Sequence, residues 1–405
     1  MRKFGNNRLR ISPRLASVCL FTLLLCAGCI QEDYEGPDPS LPTRTVLVWM
    51  AAENSLAEEA VQKIEAMRQG WTWSGNKCLI YVDTPNEGAQ LLRLRGGCAV
   101  TPTPYVETVH EYGTENSASA ETFSRVLQEV TAEYPADSYG LLVFSHASGW
   151  MPSTALQNPL LRSVGWDGGI RSGTADHAEM ELADFAAAIP DGQFDFILFE
   201  ACLMAGVEVA YELRDKTDYL LASSAEILSP GFTPVYPAAW RVLFDTSKSV
   251  GTALEEFGRA YMDYVEKLGG DARSATLSLI ETAQLDALAA QVRSAGLSFE
   301  KQDMSGLQHF DRPGSYGETP AGPRYFDLEQ WLGRAIPAET YSVCEEQLKR
   351  IVNWKASTER FLPSQNGFDI LHHSGLTVYL PQSQFEALNE AYRQTAWYRA
   401  VYGGL

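Results

Sequence analysis

From residue 44 onward, short unbroken apolar runs alternate with stretches whose apolar positions recur every three or four residues. The runs at 45–50, 79–83, 139–145, 194–201 and 218–224 carry few polar breaks. That is the pattern of strands buried on both faces of a parallel sheet. Between the first two, Leu56, Ala60, Ile64 and Met67 fall on one helical face, and Asn54-Ser55 stand where they could cap it. Residues 119–134, 180–189 and 203–215 read as further helices, and 90–95 and 104–110 as shorter strands. This alternation predicts an α/β fold with a doubly wound, mostly parallel sheet. Residues 151–178 are loop-like and rich in Gly, Ser and Pro. Beyond Pro237 the pattern turns mainly helical, at 252–268, 282–300, 326–335 and 341–354. Strand-like runs at 276–280 and 375–380 either extend the main sheet or build a separate lobe. No repeat, coiled coil, nucleotide-binding glycine pattern or metal-ligand spacing stands out.

Two of the buried runs end in a reactive residue. Tyr139 to Ser145 leads into His146, and Phe194 to Ala201 leads into Cys202. In parallel sheets, functional groups gather just beyond the carboxyl ends of the strands. An imidazole and a thiol delivered to one sheet edge supply a base and a nucleophile. Cys202 would attack a carbonyl carbon to give an acyl-enzyme, and His146 would take the thiol proton and return it to the leaving amine. The backbone N–H groups of Cys202 and Ala147 are the natural donors to the oxyanion. Either residue alone would more often be structural, because thiol reactivity requires a lowered pKa. The paired strand ends are what point to a cysteine peptidase.

The 405 residues suffice for one large α/β unit or two modest ones. The formal net charge is −19, and residues 1–28 hold five basic residues and no acid, so the remainder is more acidic still. Such a surface argues against nucleic-acid partners and favours basic ones, or simply solubility. The basic start to Arg14 and the apolar run 15–25 form a secretory leader, too short for a first reading as a membrane span. Ala27-Gly28-Cys29 resembles a bacterial lipobox, with Cys26 where leucine is usual; it implies cleavage after residue 28 and a lipid on Cys29. Residues 29–43, acidic and proline-containing, would be a solvated tether. Their acidic start resembles the surface-export signal of Bacteroidetes lipoproteins. The expected location is therefore a bacterial membrane, first the outer one, with the domain exported. Four cysteines then remain. Cys78 and Cys98 could pair, Cys344 reads as a core residue, and Cys202 is left unpaired, as a catalytic thiol must be.

The blocks 45–56 (TVLVWMAAENSL), 145–150 (SHASGW), 200–204 (EACLM), 207–214, 218–224 and 376–381 together resemble the clostripain family of cysteine peptidases. The resemblance implies a caspase-like fold, with a catalytic core over 44–245 and a helical part over 246–405 completing or flanking the sheet. It also implies endopeptidase activity through His146 and Cys202 on peptide or protein substrates. Two departures stand out. Ala147 replaces the family's glycine, which would cost energy if the position needs φ > 0. Glu200 replaces an aspartate that helps line a pocket for Arg or Lys, which could keep, weaken or change that preference. Ser224 and Glu226 align with the pocket wall. The resemblance further suggests self-cleavage within 151–178, where Arg162 and Arg171 are the basic points. No cofactor or metal is required, and only the resemblance brings in stimulation by calcium. Rival readings are a caspase-like surface lipoprotein that has lost activity and serves as a binding protein, and a glycan binder using some of the nine tryptophans. His372-His373 would point to opposite faces of a strand, and Asp176-His177 reads as a solvated loop pair.

Overall fold

The apolar runs pair into a nine-stranded sheet, seen in a computed structural model that describes residues 41–403 except 73–74, 98–102, 153–163, 169–177, 301 and 316–320. Its strands are β1 (Arg44–Ala51), β2 (Lys77–Asp83), β3 (Ala89–Arg95), β4 (Tyr105–Gly113), β5 (Ser138–Phe144), β6 (Phe194–Glu200), β7 (Thr217–Ala222), β8 (Thr276–Glu281) and β9 (Val352–Ser357). They lie in the order β9-β8-β7-β6-β5-β1-β2-β3-β4. The five central strands β2, β1, β5, β6 and β7 are parallel, and antiparallel strands close both sides. All five parallel strands therefore deliver their carboxyl ends to one edge.

The period of two along each strand divides the core into two layers. From β1, Leu47, Trp49 and Ala51 face one layer, while Val46, Val48 and Met50 face the other. Strand β6 does the same with Ile197 and Phe199 against Phe196 and Leu198. Burying each large side chain of this kind contributes roughly 1.5–3 kcal/mol. The first layer is covered by α2 (Ala120–Glu133), α3 (Leu182–Ala187), α4 (Val207–Glu212), α6 (Leu285–Ser294), α7 (Leu328–Ala335) and α8 (Ala338–Ile351). The second is covered by α1 (Ala57–Gln69) and α5 (Val250–Val265). Helices on both faces make this the doubly wound α/β architecture that the alternation predicts.

The chain differs from its expected pattern in three places. The run 276–280 becomes β8 and extends the main sheet, but 375–380 does not. Only Thr377–Val378 pairs, with Phe326–Asp327, in a small separate ladder. Its apolarity reflects burial in the first core layer, where Leu376, Val378, Tyr379 and Leu380 pack. The predicted helix over 341–354 ends at Ile351, and the chain turns into the edge strand β9, where Trp354 is buried and its neighbours are more exposed. The predicted helix over 203–215 shrinks to α4, because residues 201–206 form a turn. The N-terminal leader, Cys29 and most of the tether lie outside the described residues, as does Cys98. Cys78 and Cys344 are free, buried thiols.

Candidate active site

Ser145 ends β5 with its hydroxyl donating to the Ala51 carbonyl at 3.0 Å and accepting from the Trp166 N–H at 3.2 Å. This ties the β5 end to the β1 end and aims His146 outward. On the β1 side, the Asn54 amide donates to the carbonyls of Ala51 (3.0 Å) and Trp166 (2.7 Å), and its oxygen accepts from the Leu56 N–H. The predicted Asn54-Ser55 cap is thus an Asx turn on Asn54 alone. It leaves Ser55 to meet His146, with Oγ 3.0 Å from Nε2.

Cys202 follows β6 and is half-buried. Its Sγ lies 4.0 Å from the Ile227 carbonyl. Burial, reinforced by Glu226, pushes the thiol up to about 12, so the resting thiol carries its proton. His146 and Cys202 line the same cavity of about 900 Å³, together with Ala147, Glu200 and Glu226.

The turn after Cys202 is strained. Leu203 sits at φ +64°, a left-handed conformation that costs a non-glycine residue roughly 1 kcal/mol or more. The turn is held there because the Leu203 N–H donates to Ala225 O at 3.0 Å and the Ala205 N–H to Ser223 O at 2.9 Å. Gly149, in the block after His146, has φ +66°, and a Cβ there would stand 2.7 Å from the Leu203 carbonyl oxygen. The two reactive turns therefore touch, and glycine is required at the contact. Ala147 is not among the residues with positive φ, so its methyl group carries no left-handed strain. The N–H groups of Ala147 and Cys202 have no hydrogen-bond partner among the described residues and remain open to an oxyanion.

The other pocket residues are placed differently from their sequence expectation. Glu200 is buried, and its carboxylate is fully engaged. Oε1 accepts from Lys63 Nζ and the Phe232 N–H, both at 2.6 Å, and Oε2 accepts from the Tyr236 hydroxyl at 2.5 Å. Burial outweighs these donors and holds its pKa above the ordinary carboxyl value. Ser224 is also buried and lies outside the cavity lining, its hydroxyl 3.2 Å from His373 Nε2. Glu226 does reach the cavity, but Arg312 grips it with Nε at 2.9 Å and Nη2 at 3.1 Å. Sequence reasoning missed Lys63 and Arg312. The signal for Lys63 was present: it falls on the apolar face of α1 with Ala60 and Met67, where a charge needs a buried partner.

His372 and His373 point apart as expected. The former contacts Asp327 and Glu329, while the latter is half-buried, and desolvation of its ring lowers its pKa to about 4. Among the described residues, two groups could hold a cation. Glu53, Asp83 and Asp167, all buried, bring carboxylate oxygens within 4.8 Å of one another, and Asp327, Glu329 and His372 form the second group. The all-oxygen donors of the first suit a hard ion such as calcium. Arg162, Arg171 and the Asp176-His177 pair lie outside the described residues.

The fold is similar to a solved inactive zymogen C11 protease from Parabacteroides distasonis, with 30% identity, TM-score 0.74, and 90% of this chain and 99% of that one covered. It is similar too to a secreted C11 cysteine protease from Bacteroides thetaiotaomicron in complex with an irreversible peptide inhibitor. There the identity is 27%, the TM-score 0.72, and the coverage 89% and 99%. These likenesses establish the caspase-like α/β fold. Clostripain from Hathewaya histolytica is 27% identical over 275 residues, which are 60% of this chain. The chain spans about half, 48%, of that relative's length. The clostripain family model matches residues 48–309, a span that contains both the His146 and the Cys202 blocks. The chain belongs to the clostripain family.

Proposed function

We propose that the chain is a cysteine endopeptidase working through His146 and Cys202. The observation that carries this reading is the cavity itself, where a thiol, an imidazole and two unpartnered backbone N–H groups converge. Because the resting thiol is protonated, His146 acts as a general base and not as the cation of a preformed ion pair. As His146 takes the proton, Cys202 Sγ bonds to the peptide carbonyl carbon, and the oxyanion accepts from the N–H groups of Cys202 and Ala147. Collapse breaks the C–N bond, and the leaving amine takes its proton from His146. Water, deprotonated by His146, then cleaves the thioester and restores the thiol.

The test compares the purified full chain with its Cys202→Ala variant on a peptide library carrying every residue type before the scissile bond. Cleavage by the parent alone supports the mechanism. Cleavage surviving in Cys202→Ala refutes Cys202 as the nucleophile, and folded parent that neither cleaves nor labels at Cys202 with a peptidic thiol-directed inhibitor refutes the reading in favour of an inactive binding protein. A preference for Arg or Lys would rest on Glu200 and Glu226, both of which have internal cationic partners.

The chemistry needs no cofactor. Calcium stimulation is proposed by likeness alone, with Glu53, Asp83 and Asp167 as the ligands that would brace the adjoining turn, and no step runs through the ion. We further propose export and a lipid anchor on Cys29, in the outer membrane. Metabolic labelling with palmitate should reach the parent and be lost in Cys29→Ser; equal labelling of both would overturn it.

A further inference from the structure

Lys63 is a fully buried lysine whose ammonium has no room for another partner. It meets Glu200 at 2.6 Å, Glu59 and the Thr233 hydroxyl at 2.9 Å, and the Pro230 carbonyl at 3.0 Å. An ammonium has three protons to donate, so four oxygens saturate it. The chain also closes over the pair. Gly231 has φ +57°, and a Cβ there would stand 2.3 Å from Glu200 Oε1 and 3.2 Å from Lys63 Nζ. That close approach packs Gly231 against the pair, and of its two members only Glu200 lines the cavity beside Cys202.

Every other acid at the cavity is likewise provided for. The second oxygen of Glu59 accepts from the Ser229 hydroxyl at 2.7 Å. Glu226 is gripped by both arms of Arg312, and Asp271 accepts from the Ser364 N–H and the Gln365 amide. The walls facing the thiol include Phe144, Ile227, Leu228 and Tyr261. An Arg or Lys side chain entering this space gives up its water and finds Glu59 and Glu200 sharing Lys63 and Glu226 held by Arg312, while the half-buried Asp271, hydrogen-bonded to neutral donors, is the one cavity acid outside an ion pair.

We propose that Lys63 is a specificity-determining residue: as an internal cation it occupies the acid site at Glu200, so the cavity takes an uncharged side chain before the scissile bond instead of Arg or Lys. This rests on the peptidase reading above. Lys63→Met removes the internal cation and frees Glu200 for a substrate cation.

The experiment has two arms. In the first, the full chain, Lys63→Met and the double variant Lys63→Met/Glu200→Gln are assayed on peptides differing only at that residue. The parent should favour uncharged residues over Arg and Lys at least tenfold in kcat/KM. Lys63→Met should move that ratio toward Arg and Lys at least tenfold, and the double variant should move it back. A parent that prefers Arg or Lys, or a ratio unmoved in folded Lys63→Met, overturns the proposal. Where Lys63→Met does not fold, the parent's ratio decides. The second arm needs no turnover: calorimetry with butylguanidine on Cys202→Ala should show no binding, and on Cys202→Ala/Lys63→Met it should show binding. Absence of any Cys202-dependent cleavage refutes the peptidase reading, and calorimetry alone then decides the role of Lys63. Equal binding by both variants overturns it.

Discussion

Glu208 gives the sharpest quantitative prediction. It lies on α4, directly behind the turn that follows Cys202, and is buried. Its Oε1 accepts from the Tyr379 N–H at 2.8 Å and from the Tyr392 hydroxyl at 2.9 Å, so it pins the C-terminal run against the helix that follows Cys202. Burial raises its pKa from 4.5 to about 7 in spite of those donors. Below pH 4.5 the carboxyl is protonated in the folded and the unfolded chain alike, and the folded state keeps its full stability. Between pH 4.5 and 7 the unfolded chain releases the proton first, and each pH unit removes about 1.4 kcal/mol of stability. The loss totals roughly 3 kcal/mol and levels off above pH 8. Glu208→Gln keeps the shape and the acceptor but cannot ionise. Urea unfolding followed by tryptophan fluorescence should therefore find the variant gaining about 3 kcal/mol on the parent between pH 4.5 and pH 8. Taking the difference between parent and variant cancels every other titrating group. A parent–variant difference that does not change with pH would show that Glu208 is ionised in the fold and that its burial has been misjudged.

Three further outcomes bear on the active site. Ala147→Gly should leave kcat/KM within about threefold of the parent, because the position needs no left-handed backbone and glycine adds only freedom; a gain of a hundredfold would mean that the methyl group misplaces the oxyanion donor. Gly149→Ala should cost about 2 kcal/mol or more in thermal unfolding and lower kcat, since its Cβ would strike the Leu203 carbonyl in a left-handed conformation. Unchanged kcat in a folded variant would show that the two turns are independent. Alkylation of Cys202 by iodoacetamide in the resting chain should rise about tenfold per pH unit from pH 7 to 10, following the thiolate fraction of a thiol near 12. A rate flat from pH 6 to 8 would reveal a thiolate–imidazolium pair and displace the general-base mechanism.

How much of this was legible in the sequence follows from what each residue must satisfy. The central strands could be read because both of their faces are buried: Val46 to Ala51 and Phe196 to Phe199 have no solvent side to break the apolar run. That His146 and Cys202 share one cavity could be read because parallel strands place their ends at one edge, without detailed knowledge of the packing. Edge strand β9 could not. Its half-buried alternation is short, and Ile351 with Trp354 continues the helical spacing of α8. The run 375–380 misled for the opposite reason, since deep burial in a helical layer looks the same as burial in a sheet. The pocket was the least legible part, because its chemistry lies in pairings across long sequence distances. Glu200 and Lys63 are 137 positions apart, and Glu226 and Arg312 are 86 apart. A sequence shows that an acid stands beside Cys202, yet whether that acid is available depends on which cation the fold has already placed against it. For Glu200 that cation comes from within the chain.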